Sequence, residues 1–389
     1  MSRLLYFSFL LSSPGVTIIL AIPNDDGTVF LKNNNVTCSQ NPEEDMTAIE
    51  IIRNSGYPEA EEHLVESRDG YILGLHRGPG PEGSRAWLTL GKNKALAYEL
   101  ANSGYDVWMG NARGNVYSRR HSSLSPDDSA FWNFSFHEMG VYDLPAEIEY
   151  IASLKNDSLV YIGHSMGTTI FFVMASERPE ILSQVELMIG LGPAVYFNHI
   201  RGLTRMMYPF LESLQMHTDG HVELPFLPAF NYVSKCFCNR SPYREICRDL
   251  VFSITGFNPD KFDMKSPAGT SLKVVFHYGQ AYNTKKFLKY DYGMTKNIEV
   301  YNSSIPPEYD LSKVTVPVAF LYGLNDFVTP PEDVVRLWRD MPKKIGLFQM
   351  EDPKFTHTDF VWASHAPKLV NSKIILLLNK HDNRHSPTV

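Results

Sequence analysis

The sequence predicts an α/β fold, a mostly parallel sheet flanked by helices and interrupted by one inserted subdomain. Three observations carry that prediction. Short apolar runs of strand length alternate with segments of helical spacing, and a glycine-flanked serine turn joins one such strand to one such helix. The alternation stops from about residue 197 to 301, where Phe, Met, Tyr and Pro accumulate, and then resumes. The 389 residues are 43% hydrophobic with a net charge of −7, which suits a deep core and opposes phosphate binding, so nucleic acid is excluded as the main partner.

The chain starts with Arg3 and an apolar stretch, Leu4 to Ile22, with the small Ala21 near its end, the pattern of an export signal over residues 1–21. Ser12, Ser13, Pro14 and Gly15 interrupt the stretch, and no later window reaches the length of a bilayer crossing, so no stable transmembrane anchor is expected. N-x-[ST] sequons at Asn35, Asn133, Asn156, Asn239 and Asn302 agree with a secreted or lysosomal destination. Of the four cysteines, Cys238 and Cys247 enclose a polar stretch and are the favoured disulfide, leaving Cys38 and Cys236 unassigned. Cys236, Cys238 and Cys247 lack the paired C-x-x-C spacing of a zinc site, so no metal is expected.

From about residue 45 the first part of the core begins. Glu62–Glu66 and Tyr71–His76 flank Arg68-Asp69-Gly70 as a hairpin. A helix over Asn93–Ala101 ends at Gly104, and Tyr105–Met109 follows as a buried strand. Leu144–Leu154 reads as helix, Leu159–Ile162 as strand, Ile170–Ser176 as helix and Leu187–Leu191 as strand. After the insertion, residues 302–380 supply a strand over Val316–Tyr322, a helix over Asp333–Arg339, a strand over Ile345–Phe348 and a last helix over Pro367–Asn379. Gly78-Pro-Gly80-Pro-Glu-Gly83 matches G-x-G-x-x-G by letters, but its prolines remove N–H donors and no helix opens on it, so it reads as a loop without a nucleotide.

The chemistry concentrates in Gly163-His164-Ser165-Met166-Gly167, a G-x-S-x-G turn between an apolar strand and an apolar helix. A serine hydroxyl becomes a useful nucleophile only when presented beside a base, and small flanking residues such as Gly163 and Gly167 permit the sharp turn that presents it. On this sheet order an acid and then a histidine follow on later strands. Asp326, after Val316–Tyr322, and His357, after Ile345–Phe348, occupy those places. Asp326 is expected to orient the imidazole and His357 to carry the proton, with the Met166 N–H facing the oxyanion. His164 reads as a packing neighbour of the turn, and Asp352 and Asp359 are the alternative acids. Asp326 as a helix cap and His357 as an ordinary loop histidine are the plainer readings, disfavoured by their order behind Ser165.

From about residue 45 onward the chain resembles the acid lipases of the α/β-hydrolase fold. The resemblance rests on Tyr105–His121 (YDVWMGNARGNVYSRRH), Phe131–Ala146 (FWNFSFHEMGVYDLPA), Ser266–Ser271 (SPAGTS) and His357–Trp362 (HTDFVW), besides the serine turn. It implies hydrolysis of neutral lipid esters such as triacylglycerols or sterol esters without a cofactor, transient contact with a lipid surface, and a movable cap or lid at 197–301. Met166 stands where the family carries Gln. The family's central strand and H-G-L turn, source of a second oxyanion donor, are missing near residues 78–85. Two outcomes follow: Ala86–Leu90 slides into the vacant strand position, with Leu90 or Gly91 near the oxyanion, or the chain is a catalytically impaired lipid-binding relative or a truncated variant.

Overall fold

The computed structural model describes residues 4–10, 48–57, 59–78, 87, 90, 94–155, 157–215, 218, 220–224, 245, 249, 252–256 and 269–385. Cys238 and Cys247 lie outside these residues, as do Asn35, Asn156 and Asn239. Asn133 and Asn302 are described, and both are exposed.

Among the described residues the strands are β1 (Leu4–Leu10), β2 (Glu61–Glu66), β3 (Tyr71–Gly78), β4 (Asp106–Gly110), β5 (Arg120–His121), β6 (Leu159–Ser165), β7 (Val185–Leu191), β8 (Val318–Tyr322) and β9 (Lys344–Gln349). They form one sheet in the order β2-β3-β4-β1-β6-β7-β8-β9, with β5 beside β3. The β2–β3 hairpin and the β3–β4 pair are antiparallel, and from β4 to β9 every pair is parallel. Alternate residues of the inner strands serve opposite faces. Trp108, Leu159 and Tyr161 join one buried cluster, and Val107, Met109, Val160 and Ile162 join the other. With helices on both sides, the inner strands β4, β6 and β7 are buried on both faces and read as nearly unbroken apolar runs.

The vacancy left by the missing strand is filled, but from an unexpected place. Leu4–Leu10 runs parallel to β4 on one side and to β6 on the other, with Leu4 opposite both Asp106 and Leu159 and Leu10 opposite Ser165. Seven of the residues 1–21 that read as an export signal thus occupy the central strand position of this sheet. Of the stretch Ala86–Leu90 only Trp87 and Leu90 are among the described residues, and neither pairs with β4 or β6. Trp87 is instead buried in the same cluster as Leu96 and Leu100 of the helix Leu96–Asn102. The physical reason is common to both readings. An apolar run with no charge between Leu4 and Leu10 satisfies a signal core and a doubly buried parallel strand equally well, and periodicity cannot separate them.

The segments that carry the family resemblance are explained by buried polar networks. Arg113 sits between Asp69 and Asp143, 2.6 Å from each, and its own backbone N–H donates to Asp143 at 3.0 Å. A widened π-type turn over Met139–Asp143 brings that carboxylate into place. Glu147 accepts from the Asn111 N–H at 3.1 Å, and the Asn111 amide donates to the Gly74 carbonyl at 2.8 Å. In the insertion, the helix Gly202–Gln215 packs on the helix Leu272–Thr284, where Tyr208 stacks on Tyr282. On the first of these helices Thr204, Tyr208 and Leu211 are buried, whereas Met206 and Leu214 are exposed, at 66% and 45%.

Glu138 closes a capping box with Ser135, accepting from the Ser135 N–H at 2.6 Å. Burial pushes its carboxyl up, but the positive charge of His137 and Lys273 and the backbone N–H donors outweigh burial and hold it down at about 2. A carboxylate depressed below its ordinary value near 4.5 contributes stability that is complete above that value and is lost as the pH falls through about 2. The melting-temperature difference between wild type and Glu138→Gln is therefore expected to be largest above pH 5 and to shrink toward pH 2. Calorimetry across that range checks it, and a constant difference would remove the carboxylate's charge from the account.

Candidate active site

β6 ends at Ser165, and the helix Met166–Glu177 begins at the next residue. Ser165 takes φ 53° and ψ −122°, a conformation non-glycine residues seldom adopt, which lifts its side chain out of the strand-to-helix turn. The turn closes tightly: a Cβ on Gly163 would stand 3.0 Å from the Gly167 backbone and 2.8 Å from the Tyr161 ring. Tyr161 donates its hydroxyl to the Gly167 carbonyl at 2.6 Å, and Thr168 donates to the Ser165 carbonyl at 2.6 Å. Thr168 also accepts from the Ala194 N–H at 2.8 Å, tying the turn to the segment after β7. The strain at Ser165 is thus held from several sides.

The three residues that the chain order singles out meet. Ser165 Oγ lies 2.7 Å from His357 Nε2, and His357 Nδ1 lies 2.8 Å from Asp326 Oδ2. Asp326 and His357 are fully buried, and Ser165 is 8% exposed. Asp326 accepts from the N–H groups of Val328 at 2.9 Å and Thr329 at 2.7 Å, and from the Thr329 hydroxyl at 2.7 Å. With those donors and the imidazole, the carboxylate has its charge met by aimed hydrogen bonds and faces His357 in one orientation. Asp352 and Asp359 are elsewhere engaged: Asp352 accepts from the Lys354 N–H, and Asp359 accepts from the Thr356 N–H.

Several residues that sequence reasoning missed shape the site. Gly192 has φ +52°, and a Cβ there would come within 3.2 Å of the His357 ring and 3.1 Å of the Thr329 hydroxyl. Thr255, from the insertion, accepts through its carbonyl from the His357 N–H at 3.2 Å. A Cβ on the neighbouring Gly256 would stand 2.0 Å from the Asn325 carbonyl, so the insertion and the acid's loop approach backbone to backbone. Such contacts join positions far apart in the chain and leave no local pattern. Among the described residues no group of His, Cys, Asp or Glu is arranged to hold a metal.

A strained serine at a strand-to-helix turn, with an acid and a histidine in the loops after later strands of a mostly parallel sheet, defines a serine hydrolase of the α/β-hydrolase class. The family model for the alpha/beta hydrolase fold matches residues 75–364. Lipase 1 of Drosophila melanogaster is 37% identical over 85% of this chain and 79% of its own length. The human lysosomal acid lipase/cholesteryl ester hydrolase is 35% identical over 87% of this chain and 92% of its own length. A solved structure from Acinetobacter baumannii, 15% identical, shares the fold at a TM-score of 0.50 over 88% of this chain and 98% of that one. The chain belongs to the acid lipase family of the α/β-hydrolases.

Proposed function

We propose that this protein is a lipase that cleaves carboxylic ester bonds of neutral lipids, triacylglycerols or sterol esters, through an acyl-enzyme. The observation that carries the reading is the buried Ser165–His357–Asp326 relay, with both contacts at hydrogen-bond distance. Ser165 Oγ attacks the ester carbonyl while His357 Nε2 takes its proton, and the collapsing intermediate releases the alcohol with that proton. Water then repeats the sequence on the acyl-enzyme and frees the fatty acid and Ser165. Asp326 fixes the tautomer of His357 and offsets its charge when protonated. The Met166 N–H, at the first residue of the helix, is the proposed oxyanion donor. Substrate is met at a lipid surface, where the insertion at 197–301 serves as the cap. Exposed Met206 and Leu214 suit such transient contact. No described helix is long and apolar enough to cross a membrane.

Hydrolysis of p-nitrophenyl esters and of emulsified triacylglycerol and sterol ester tests the proposal, and inertness toward all of them would overturn it. Asp326→Asn is expected to lower kcat by about 10⁴-fold, since an amide holds the wrong imidazole tautomer. Steady-state kinetics on a soluble ester reads that loss.

A second reading, a catalytically impaired lipid-binding relative, is favoured by one observation. The sequence lacks the H-G-L turn that supplies the family's second oxyanion donor, and loss of one such donor costs roughly a hundredfold in rate. A secreted or lysosomal destination is supported by the exposed sequons at Asn133 and Asn302 and by the relatives named lysosomal. Recovery of endoglycosidase-sensitive protein from lysosomes or medium tests it, and purely cytosolic, unglycosylated protein overturns it. The N-terminal sequence of that protein then decides between the readings. Cleavage after Ala21 removes β1 together with the signal and counts against an active lipase, whereas a retained Leu4–Leu10 keeps the complete sheet.

A further inference from the structure

We propose that His164 is a positioning residue for the hydrolysis: its imidazole Nε2–H holds the main-chain carbonyl of His357 and so fixes the base beside Ser165. The inference rests on the relay of Ser165, His357 and Asp326 proposed above. His164 Nε2 lies 2.9 Å from the His357 carbonyl oxygen, and both residues are buried. A carbonyl only accepts, so that contact requires the proton on Nε2 of His164. The opposite end of the same residue is also held, because the His357 N–H donates to the Thr255 carbonyl at 3.2 Å. The backbone of His357 is therefore clamped between the insertion on one side and the last strand residue before the nucleophile on the other.

The location of His164 makes the clamp effective. It belongs to β6, pairing with Leu191 of β7, and immediately precedes Ser165, so any displacement of the nucleophile carries the tether with it. Ser165 meets the side chain of His357 while His164 meets its main chain, two contacts from adjacent residues onto one partner. The rings of His164 and His357 lie 4.8 Å apart, and Phe360 stands 5.8 Å from His164. Burial first, and the nearby charge of His357 second, drive the His164 pKa well below its ordinary value, so the tether is neutral. A neutral donor suits this place, since a fixed cation here would oppose the imidazolium that forms on His357 during attack.

Three variants test the assignment. Gln places an amide N–H near the position of Nε2, Asn ends too short to reach the carbonyl, and Leu fills similar space with no donor. Measured on p-nitrophenyl butyrate, His164→Leu and His164→Asn are expected to lower kcat about a hundredfold with KM within about twofold, as misplaced catalytic groups do. Their rates of labelling by a fluorophosphonate should fall in parallel, and His164→Gln should recover kcat to within about fivefold of wild type. Equal losses in His164→Gln and His164→Asn, tracking equal losses of melting temperature, would reduce His164 to a packing role and overturn the proposal. So would wild-type kcat in His164→Leu. Should the Leu variant fail to fold, the Gln and Asn pair alone decides by the same criteria. Ser165→Ala separates the two levels: if wild type is no faster than Ser165→Ala the relay itself fails, whereas an active wild type with an unaffected His164→Leu sinks only the positioning role.

Discussion

Ser165→Ala is expected to abolish ester turnover, lowering kcat by about 10⁴-fold or more while the protein stays folded. The size follows from how the site divides its work. Ser165 Oγ is the atom placed to form the acyl bond, 2.7 Å from the imidazole that takes its proton. Without it, His357 and Asp326 can do no more than polarise a water molecule with nowhere prepared for it, and residual rate comes from oxyanion stabilisation alone. Removing this hydroxyl should also relieve nothing in the backbone, because the unusual φ at Ser165 is imposed by the turn and its ties through Thr168 and Tyr161. Equal melting temperatures by calorimetry, together with loss of fluorophosphonate labelling, are the expected pair of results. Substantial labelling of Ser165→Ala would place the nucleophile elsewhere.

The second large effect concerns stability. A chain beginning at Ile22 lacks β1, and in the structure β1 supplies the ladder partners of both β4 and β6 over Leu4–Ser8. Their inward N–H and C=O groups would face each other across a gap with no hydrogen bonds. Each buried group left without a partner costs about 1–3 kcal/mol, and several together exceed the roughly 5–15 kcal/mol that holds a typical domain folded. Such a chain is expected to be insoluble or to show no cooperative unfolding, and to lack esterase activity. Circular dichroism and thermal melts of chains starting at Met1 and at Ile22 make the comparison. Equal melting temperatures would show that the sheet closes without Leu4–Leu10, and Glu138→Gln, whose effect is local, serves as a scale for a modest loss.

How much could be read in advance differs from element to element. The helix Met166–Glu177 and β6 are legible because an apolar strand, a small-residue turn and an apolar helix follow one another within twenty residues or so, the range over which local pattern is informative. Asp326 and His357 are legible only through chain order, which fixes the strands they follow and not how they are held. In the insertion, which face of the helix Gly202–Gln215 is covered is settled by its partner Leu272–Thr284, far along the chain. Thr329, Gly192, Thr255 and the tether at His164 give no signal at all in one dimension. A threonine that serves a carboxylate looks like any other threonine until the carboxylate arrives.

By itself, then, the sequence determined the sheet-and-helix alternation, the serine turn and the order of its two partners, because each is written in periodicity or spacing over short stretches of chain. Tertiary structure alone decided that Leu4–Leu10 lies between β4 and β6, and that residues drawn from β6, the insertion and the loop after β8 converge on one residue, His357, through its ring and its main chain. The reason is that an apolar run states only that it will be buried. Which neighbours bury it is settled by the ladder partners left unsatisfied when the rest of the sheet has formed.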